Sequence, residues 1–241
     1  MPSHSPDAPR RSRRKEARPG ELLEAALALF LEKGYAATRV EAVAARAGVS
    51  KGTLFLYFPS KEELFKEVVR QNISGSFTSW RQELAQFQGS SAALLCRAVE
   101  VWWQHAVGTP AGAITRLMWN EAPHFPELAA FYRQEVDEPG HAMLQSILQR
   151  GMDSGEFRQL PLVEALYLVL TPMFFVMLWR PESELCHPAH QGLHAQDYLL
   201  SQLRNCLRGL LLDPSAVETL AMPQLAPLPT LPPSVCPARL P

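Results

Sequence analysis

Apolar positions recur at helical spacing through most of this chain. From about Pro19, Leu22, Ala26, Leu29 and Phe30 share one face, and Gly34 ends the run. Pro19 suits a first helical turn, where a missing N–H is no loss. Thr38 and Glu41 make a T-x-x-E capping box that opens a short helix through Ala47. Gly48 supplies a left-handed cap, and Ser50 begins a third helix that Pro59 stops. Ser60 with Glu63 forms a second capping box for the next one. Each of these short helices carries its own start and stop signal.

Beyond Arg70 the pattern stays helical. Apolar periodicity predicts helices from Lys61 into the eighties and over 91–107, 111–120, 127–150, 162–180 and 195–212, with a kink at Pro139–Gly140. No alternating run of β-branched residues is bounded by turn signals, so no strand is expected and the class is all-α. From residue 213 onward, eight prolines in 29 residues predict an extended, disordered tail. Residues 1–18, rich in Pro, Ser and Arg without apolar periodicity, read as a disordered basic arm. The expected organisation is therefore an arm (1–18), a small helical head (19–70), a larger helical domain (71–212) and the tail (213–241).

Charge changes the picture only through its distribution. The net charge is −1, yet residues 1–70 hold 13 Lys/Arg against 9 Asp/Glu, and the remainder holds 10 against 15. A basic end on an acidic body points that end toward a polyanion. Arg10, Arg11, Arg13, Arg14, Lys15 and Arg18 could follow phosphates or enter a minor groove. The four cysteines show no C-x-x-C spacing, which fits buried thiols in a reducing cytoplasm. The arginine-rich start resembles a twin-arginine signal superficially, but Glu24 interrupts the apolar run behind it. Residues 162–179 approach spanning length but hold Glu164 and Pro172, so a buried helix is expected rather than a membrane segment. No G-x-S-x-G elbow, phosphate loop, dinucleotide fingerprint or H-E-x-x-H is present. Neither a catalytic residue nor a cofactor is expected. An enzyme with an appended helix–turn–helix is the weakest reading.

The segment from Ser50 to Phe58 carries the sharpest chemistry. At 100° per residue, Leu54 and Phe58 fall on a face that can bury, with Val49 sealing the turn. Gly52 and Leu56 point away from it, flanked by Thr53 and Phe55. A glycine inside a helix costs about 1 kcal/mol relative to alanine, a cost that makes sense where the backbone must approach something closely. The N-terminus begun by Ser50, with Lys51 and free N–H groups, is a ready anion site. Such a helix can lie in a major groove, or it can simply pack.

The stretch "AATRVEAVAARAGVSKGTLFLYFPSKEELF" resembles the DNA-binding domain of the TetR/AcrR family of bacterial transcriptional regulators, over about residues 21–70. The resemblance rests on Phe30, Gly34, Thr38, Val43–Ala44, Ala47–Ser50, Gly52–Leu54, Tyr57–Phe58 and Lys61–Glu62. It implies an all-α homodimer with an N-terminal reading head, a helix–turn–helix at about 39–58, and a C-terminal domain that senses a ligand and dimerises. It implies a repressor on a pseudo-palindromic double-stranded operator, released by a small hydrophobic or aromatic effector. Control by a protein partner is the alternative. By the same resemblance, Thr38 and Arg39 start the supporting helix beside the phosphates, Lys51, Thr53 and Leu56 face bases, and Tyr57 and Lys61 touch the DNA backbone. Two positions depart from the family: Phe55 stands where tyrosine is common, and Leu56 where a polar or basic residue is.

The C-terminal half gives weaker signals. "MWNEAPHFPELAAFYRQEV" resembles AcrR-like members modestly, at "FPEL". Leu166, Leu170, Met173 and Met177 form one apolar stripe, and Leu199, Leu203, Cys206 and Leu210 another. Two such helices could pair with their symmetry mates as a four-helix interface, or serve as ordinary core. Large apolar side chains concentrate at Trp102, Met118, Trp119, Phe125, Tyr132 and Phe174. They would suit an effector cavity with Glu121 or His124 as a polar anchor. Cys186, His187, His190 and His194 are zinc-ligand types, but Pro188 and Gly192 make a loop of them and no second pair appears, so no metal is expected.

Overall fold

The computed structural model describes the backbone of residues 10–178 and 194–228, with side chains from Pro19 on. Within these residues the chain divides into two units. The first comprises residues up to Ser74 together with Leu117–Tyr132, and the second Gly75–Arg116 with the described residues from Arg133 onward.

In the first unit α1 (Arg10–Ala37) is followed by α2 (Val40–Arg46), α3 (Lys51–Tyr57) and α4 (Lys61–Asn72). The predicted face of α1 is the buried one: Leu22, Ala26, Leu29 and Phe30 meet Leu64, Phe65, Val68 and Val69 of α4 in one core. Phe30 and Phe65 stack edge to face at 5.1 Å, and Tyr35 meets Phe65 at 5.2 Å. Gly34 breaks the helix at φ 81°, a left-handed angle that side chains resist. The last turn of α7 (Pro110–Glu121) and α8 (Pro126–Tyr132) complete the unit, burying Met118, Leu128 and Tyr132.

The basic arm is corrected in part. The backbone of residues 10–18 continues α1 with Pro19 inside the helix; Arg, Lys, Glu and Ala are good helix formers, set against a proline that removes one backbone bond and crowds the preceding turn. Residues 1–9 lie outside the described ones. The long helix expected from Lys61 into the eighties is also broken. It ends at Asn72, gives way to a 3-10 turn at Ser74–Ser76, and resumes as α5 (Phe77–Ala85), where Gly75 and three serines dilute helix propensity.

The second unit packs α5, α6 (Ser91–Ala106), α9 (Glu138–Asp153), α10 (Leu162–Leu178) and α11 (Ala195–Leu210) around a core that includes Leu95, Val99, Leu148, Val169, Leu199 and Leu207. The Glu156 carboxylate accepts the N–H groups of Ser91 and Ala92 at 2.6 and 2.9 Å, placing negative charge on the N-terminus of α6. Gly151 lets α9 close on Phe157, since a Cβ there would overlap the ring. The kink expected at Pro139–Gly140 is realised as a π-helical turn, Arg133–Asp137, just ahead of the proline. Pro139 cannot donate to the carbonyl of Glu135, so the backbone pairing shifts register before it. Among the described residues, extended pairing is limited to an isolated bridge between Phe157 and Leu211.

Two further expectations change. The tail is not disordered as far as Leu228. A 3-10 turn at Pro214–Thr219 buries Val217, and Leu220, Met222, Leu225 and Leu228 lie against the core. The Trp103 indole N–H donates to the Ala226 carbonyl at 3.0 Å, and the Gln224 N–H donates to Glu100 at 3.2 Å. Apolar side chains between the prolines bind this extended strap to α6. The expected interface residues Leu166, Leu170, Met173, Met177, Leu199, Leu203, Cys206 and Leu210 are all buried within the chain itself. The apolar face that α10 leaves open is the opposite one, with Val163 and Leu178 each 59% exposed and Tyr167, Leu168 and Phe175 between them.

Candidate nucleic-acid interface

The turn between α2 and α3 follows the predicted chemistry. Gly48 takes φ 67°, and the Val49 N–H returns to the Ala44 carbonyl at 2.9 Å. The Ser50 hydroxyl oxygen accepts the Thr53 N–H at 3.0 Å and shares a second hydrogen bond with the Thr53 hydroxyl at 2.9 Å. That cap fixes where α3 starts, and hence which side chains face out. Leu54 and Phe58 are buried, whereas Lys51, Gly52, Phe55 and Leu56 are exposed and Thr53 and Tyr57 half-buried. Leu56 stands 84% exposed.

Gly52 has no packing reason to be glycine. A Cβ built there would meet only the Ser50 hydroxyl, at 3.8 Å. The helix therefore forgoes about 1 kcal/mol of propensity without relieving any internal clash. Lys51 holds Glu41 of α2 at 2.6 Å and lies over the Phe55 ring at 5.7 Å. The ammonium keeps the Glu41 carboxyl below the usual carboxylate range. Exposed on both sides, that ion pair is weak and can be exchanged for another anion. Arg39 stands exposed at the N-cap of α2 without capping it by its side chain.

Two expected contacts are turned inward. Thr38 does not cap α2: it is buried, and its hydroxyl donates to the carbonyls of Gly34 and Leu29 at 2.7 and 3.1 Å, closing the broken end of α1. Lys61 donates to the carbonyls of Tyr35 and Ala36 at 2.9 and 3.2 Å and sits over the Tyr35 ring at 4.3 Å. Burial lowers its pKa against the opposing pull of Glu121. The T-x-x-E and S-x-x-E spacings did not distinguish a hydroxyl that caps, as Ser60 does on the Glu63 N–H at 3.0 Å, from one that staples the preceding helix.

The expected effector residues fall in different units. Trp102 and Phe174 lie half-buried in the second, while Met118, Trp119, Glu121, His124, Phe125 and Tyr132 belong to the first. Glu121 accepts the N–H groups of Tyr35 and Ala36 at 2.9 and 3.4 Å, and Phe125 packs edge-on against Tyr35 at 4.8 Å. Both side chains therefore brace the reading head. His124 is exposed. Sequence reasoning missed a cleft of about 300 Å³ in the second unit, lined by Leu84, Leu94, Met143 and Ile147 with Arg81 and Arg150 beside them. These residues come from three helices and share no motif. Cys186, His187 and His190 lie outside the described residues, and His194 is the N-cap residue of α11. Among the described residues no group of His, Cys, Asp or Glu could hold a metal.

Comparison with known proteins matches this geometry. The model for bacterial regulatory proteins of the tetR family covers residues 22–68, and one for a tetracyclin repressor-like C-terminal domain covers 88–186. The transcriptional repressor KstR2 of Rhodococcus jostii (strain RHA1) is 30% identical over 145 residues, spanning 60% of this chain and 70% of that protein. The regulator RutR of Escherichia coli (strain K12) is 48% identical over 62 residues, 26% of this chain and 29% of RutR. In structure, a transcriptional regulator from Saccharomonospora viridis in complex with choline superposes with a TM-score of 0.65 at 19% identity, over 83% of this chain and all of that one. A helix–turn–helix with an outward α3, a family model over it and a second model over the helical body give one conclusion: the chain belongs to the TetR family of bacterial transcriptional regulators.

Proposed function

We propose that this regulator is a homodimeric repressor that holds a pseudo-palindromic operator through α3 and releases it when a small effector binds. The outward face of α3 carries the reading. It offers a cation at Lys51, an uncrowded backbone at Gly52 and an 84% exposed apolar group at Leu56, all above a buried Leu54–Phe58 face. Arg39 and Tyr57 flank it, and the capped N-terminus at Ser50 and Thr53 presents backbone N–H groups to phosphate.

Assembly is supported by the open side of α10. An apolar strip running from Val163 through Tyr167, Leu168 and Phe175 to Leu178 suits a second copy of the same strip across a two-fold axis. A pseudo-palindromic operator requires the two α3 helices of the dimer to stand about 34 Å apart, one turn of DNA. An effector acts by favouring a state in which that separation no longer fits. Neighbours of the same fold hold choline in one case and stearoyl-CoA in another, so fold alone does not assign the effector's class. The reading places the protein in the cytoplasm with its DNA. No helix among the described residues is long and apolar enough to cross a membrane.

Genomic footprinting with the purified full chain tests the proposal. Protection of a few two-fold symmetric sites, lifted by one class of small molecule, is the expected result. Uniform, sequence-independent coverage would overturn it.

A further inference from the structure

Leu56 is the more exposed of two apolar side chains that α3 turns outward; Phe55 is 39% exposed beside it, under Lys51. Leu56 stands 84% exposed on α3, one turn beyond Gly52 and on the same side, with Lys51 and Thr53 nearer the helix start. With Leu54 and Phe58 buried on the opposite face, Leu56 would gain from an apolar surface that covers it. Along the major groove the apolar group on a base edge is the C5-methyl of thymine; guanine, adenine and cytosine present only donors and acceptors there. Gly52 lets the α3 backbone come close without a clash, since its Cβ position is open. The groove can therefore be approached to within reach of a short, branched side chain.

We infer that Leu56 specifies thymine at one position of each half-site, through contact with the C5-methyl group. This rests on the operator-binding reading above and deepens it by naming the base and the atom read. Lys51 and Thr53 supply the polar contacts beside it, and Leu56 adds discrimination that salt does not screen.

The test begins by selecting duplexes from a random library with the full chain. In the selected duplex, thymine is then replaced by deoxyuridine at one symmetric pair of positions at a time, which deletes only the methyl group. At one pair the wild-type chain should lose roughly fourfold affinity per half-site, the worth of one buried methyl or methylene group. Leu56→Ala should bind the thymine and uracil duplexes equally at that pair, and should melt close to the wild-type temperature because the side chain is 84% exposed. Wild-type binding indifferent to every replacement would overturn the inference while leaving the operator reading intact. So would an Ala variant that keeps the methyl preference. Failure to enrich any duplex would overturn both.

Discussion

The Glu121 carboxylate accepts the Tyr35 N–H at 2.9 Å across 86 residues of chain. Its partner in this arrangement is Lys61, which takes the carbonyls of Tyr35 and Ala36. The peptide that leaves α1 for α2 is thus held on its donor side by α7 and on its acceptor side by α4. Gly34 makes room for the carboxylate: a Cβ there would stand 3.0 Å from Glu121 Oε1, on a backbone at φ 81°. The start of α2, and with it the aim of α3, depends on this clamp.

Removing the carboxylate leaves a part-buried N–H without its acceptor. Glu121→Ala should therefore cost about 1–3 kcal/mol in urea unfolding, whereas Glu121→Gln, which keeps an acceptor oxygen, should cost less. Operator affinity should fall in the same order. Equal stability for wild type and the alanine variant would show that the clamp does not hold the head.

Two lysines on the reading head give opposite expectations. Lys51 points out and is balanced only by the exchangeable Glu41, so Lys51→Ala should lower the slope of log K against log salt by about one per half-site. Lys61 spends its ammonium on two carbonyls inside the head, so Lys61→Ala should lower the melting temperature and leave the slope unchanged. A slope reduced by the Lys61 change would return that residue to the DNA surface.

Alkaline pH probes the same cluster through Tyr35. Burial, with the negative charges of Glu62 and Glu127, raises its phenol from 10.0 to about 12. A group whose folded pKa is raised contributes stability that is complete below its unfolded value. That contribution drains away as pH climbs through the folded value. The stability difference between wild type and Tyr35→Phe should therefore be constant below pH 10 and shift against wild type between pH 10 and about 12. Parallel curves throughout that window would mean the phenol is not held neutral by the fold.

The reading head was legible because local signals carry it. Ser50, Gly48, Ser60 and the Leu54–Phe58 face act through neighbours within one turn, and spacing reports such neighbours. The inward bonds of Lys61 and Glu121 were not legible, because their partners lie 25 to 86 residues away along the chain, and the capping spacing at Thr38 hid its bond back to Gly34. The tail failed for a compositional reason. Counting its prolines hid Val217, Leu220, Met222 and Leu225, whose burial against the core outweighs the lack of regular structure. Large apolar side chains such as Met118 and Trp119 do not separate core from cavity in sequence, since both are lined by the same residue types.

The last expectation concerns α10, whose periodicity is ambiguous because the helix is apolar almost all round. A stripe of Leu166, Leu170, Met173 and Met177 can be drawn on it, and so can a second stripe of Val163, Tyr167, Phe175 and Leu178. Sequence does not say which turns inward. The structure buries the first and leaves the second open, and Phe175, 43% exposed, meets Tyr198 of α11 with ring centroids 4.9 Å apart. A charge placed on each stripe separates interface from core. Leu203→Arg, on the buried stripe of α11, puts an unpaired cation into the core and should unfold the chain or lower its melting temperature severely. Phe175→Arg, on the open stripe, should leave the protomer's fold intact and yield monomers in sedimentation. Because a lone α3 spans only one half-site, that variant should lose most operator affinity while keeping its helical circular-dichroism spectrum. Folded dimers of Phe175→Arg at micromolar concentration would show that the second copy sits on some other face.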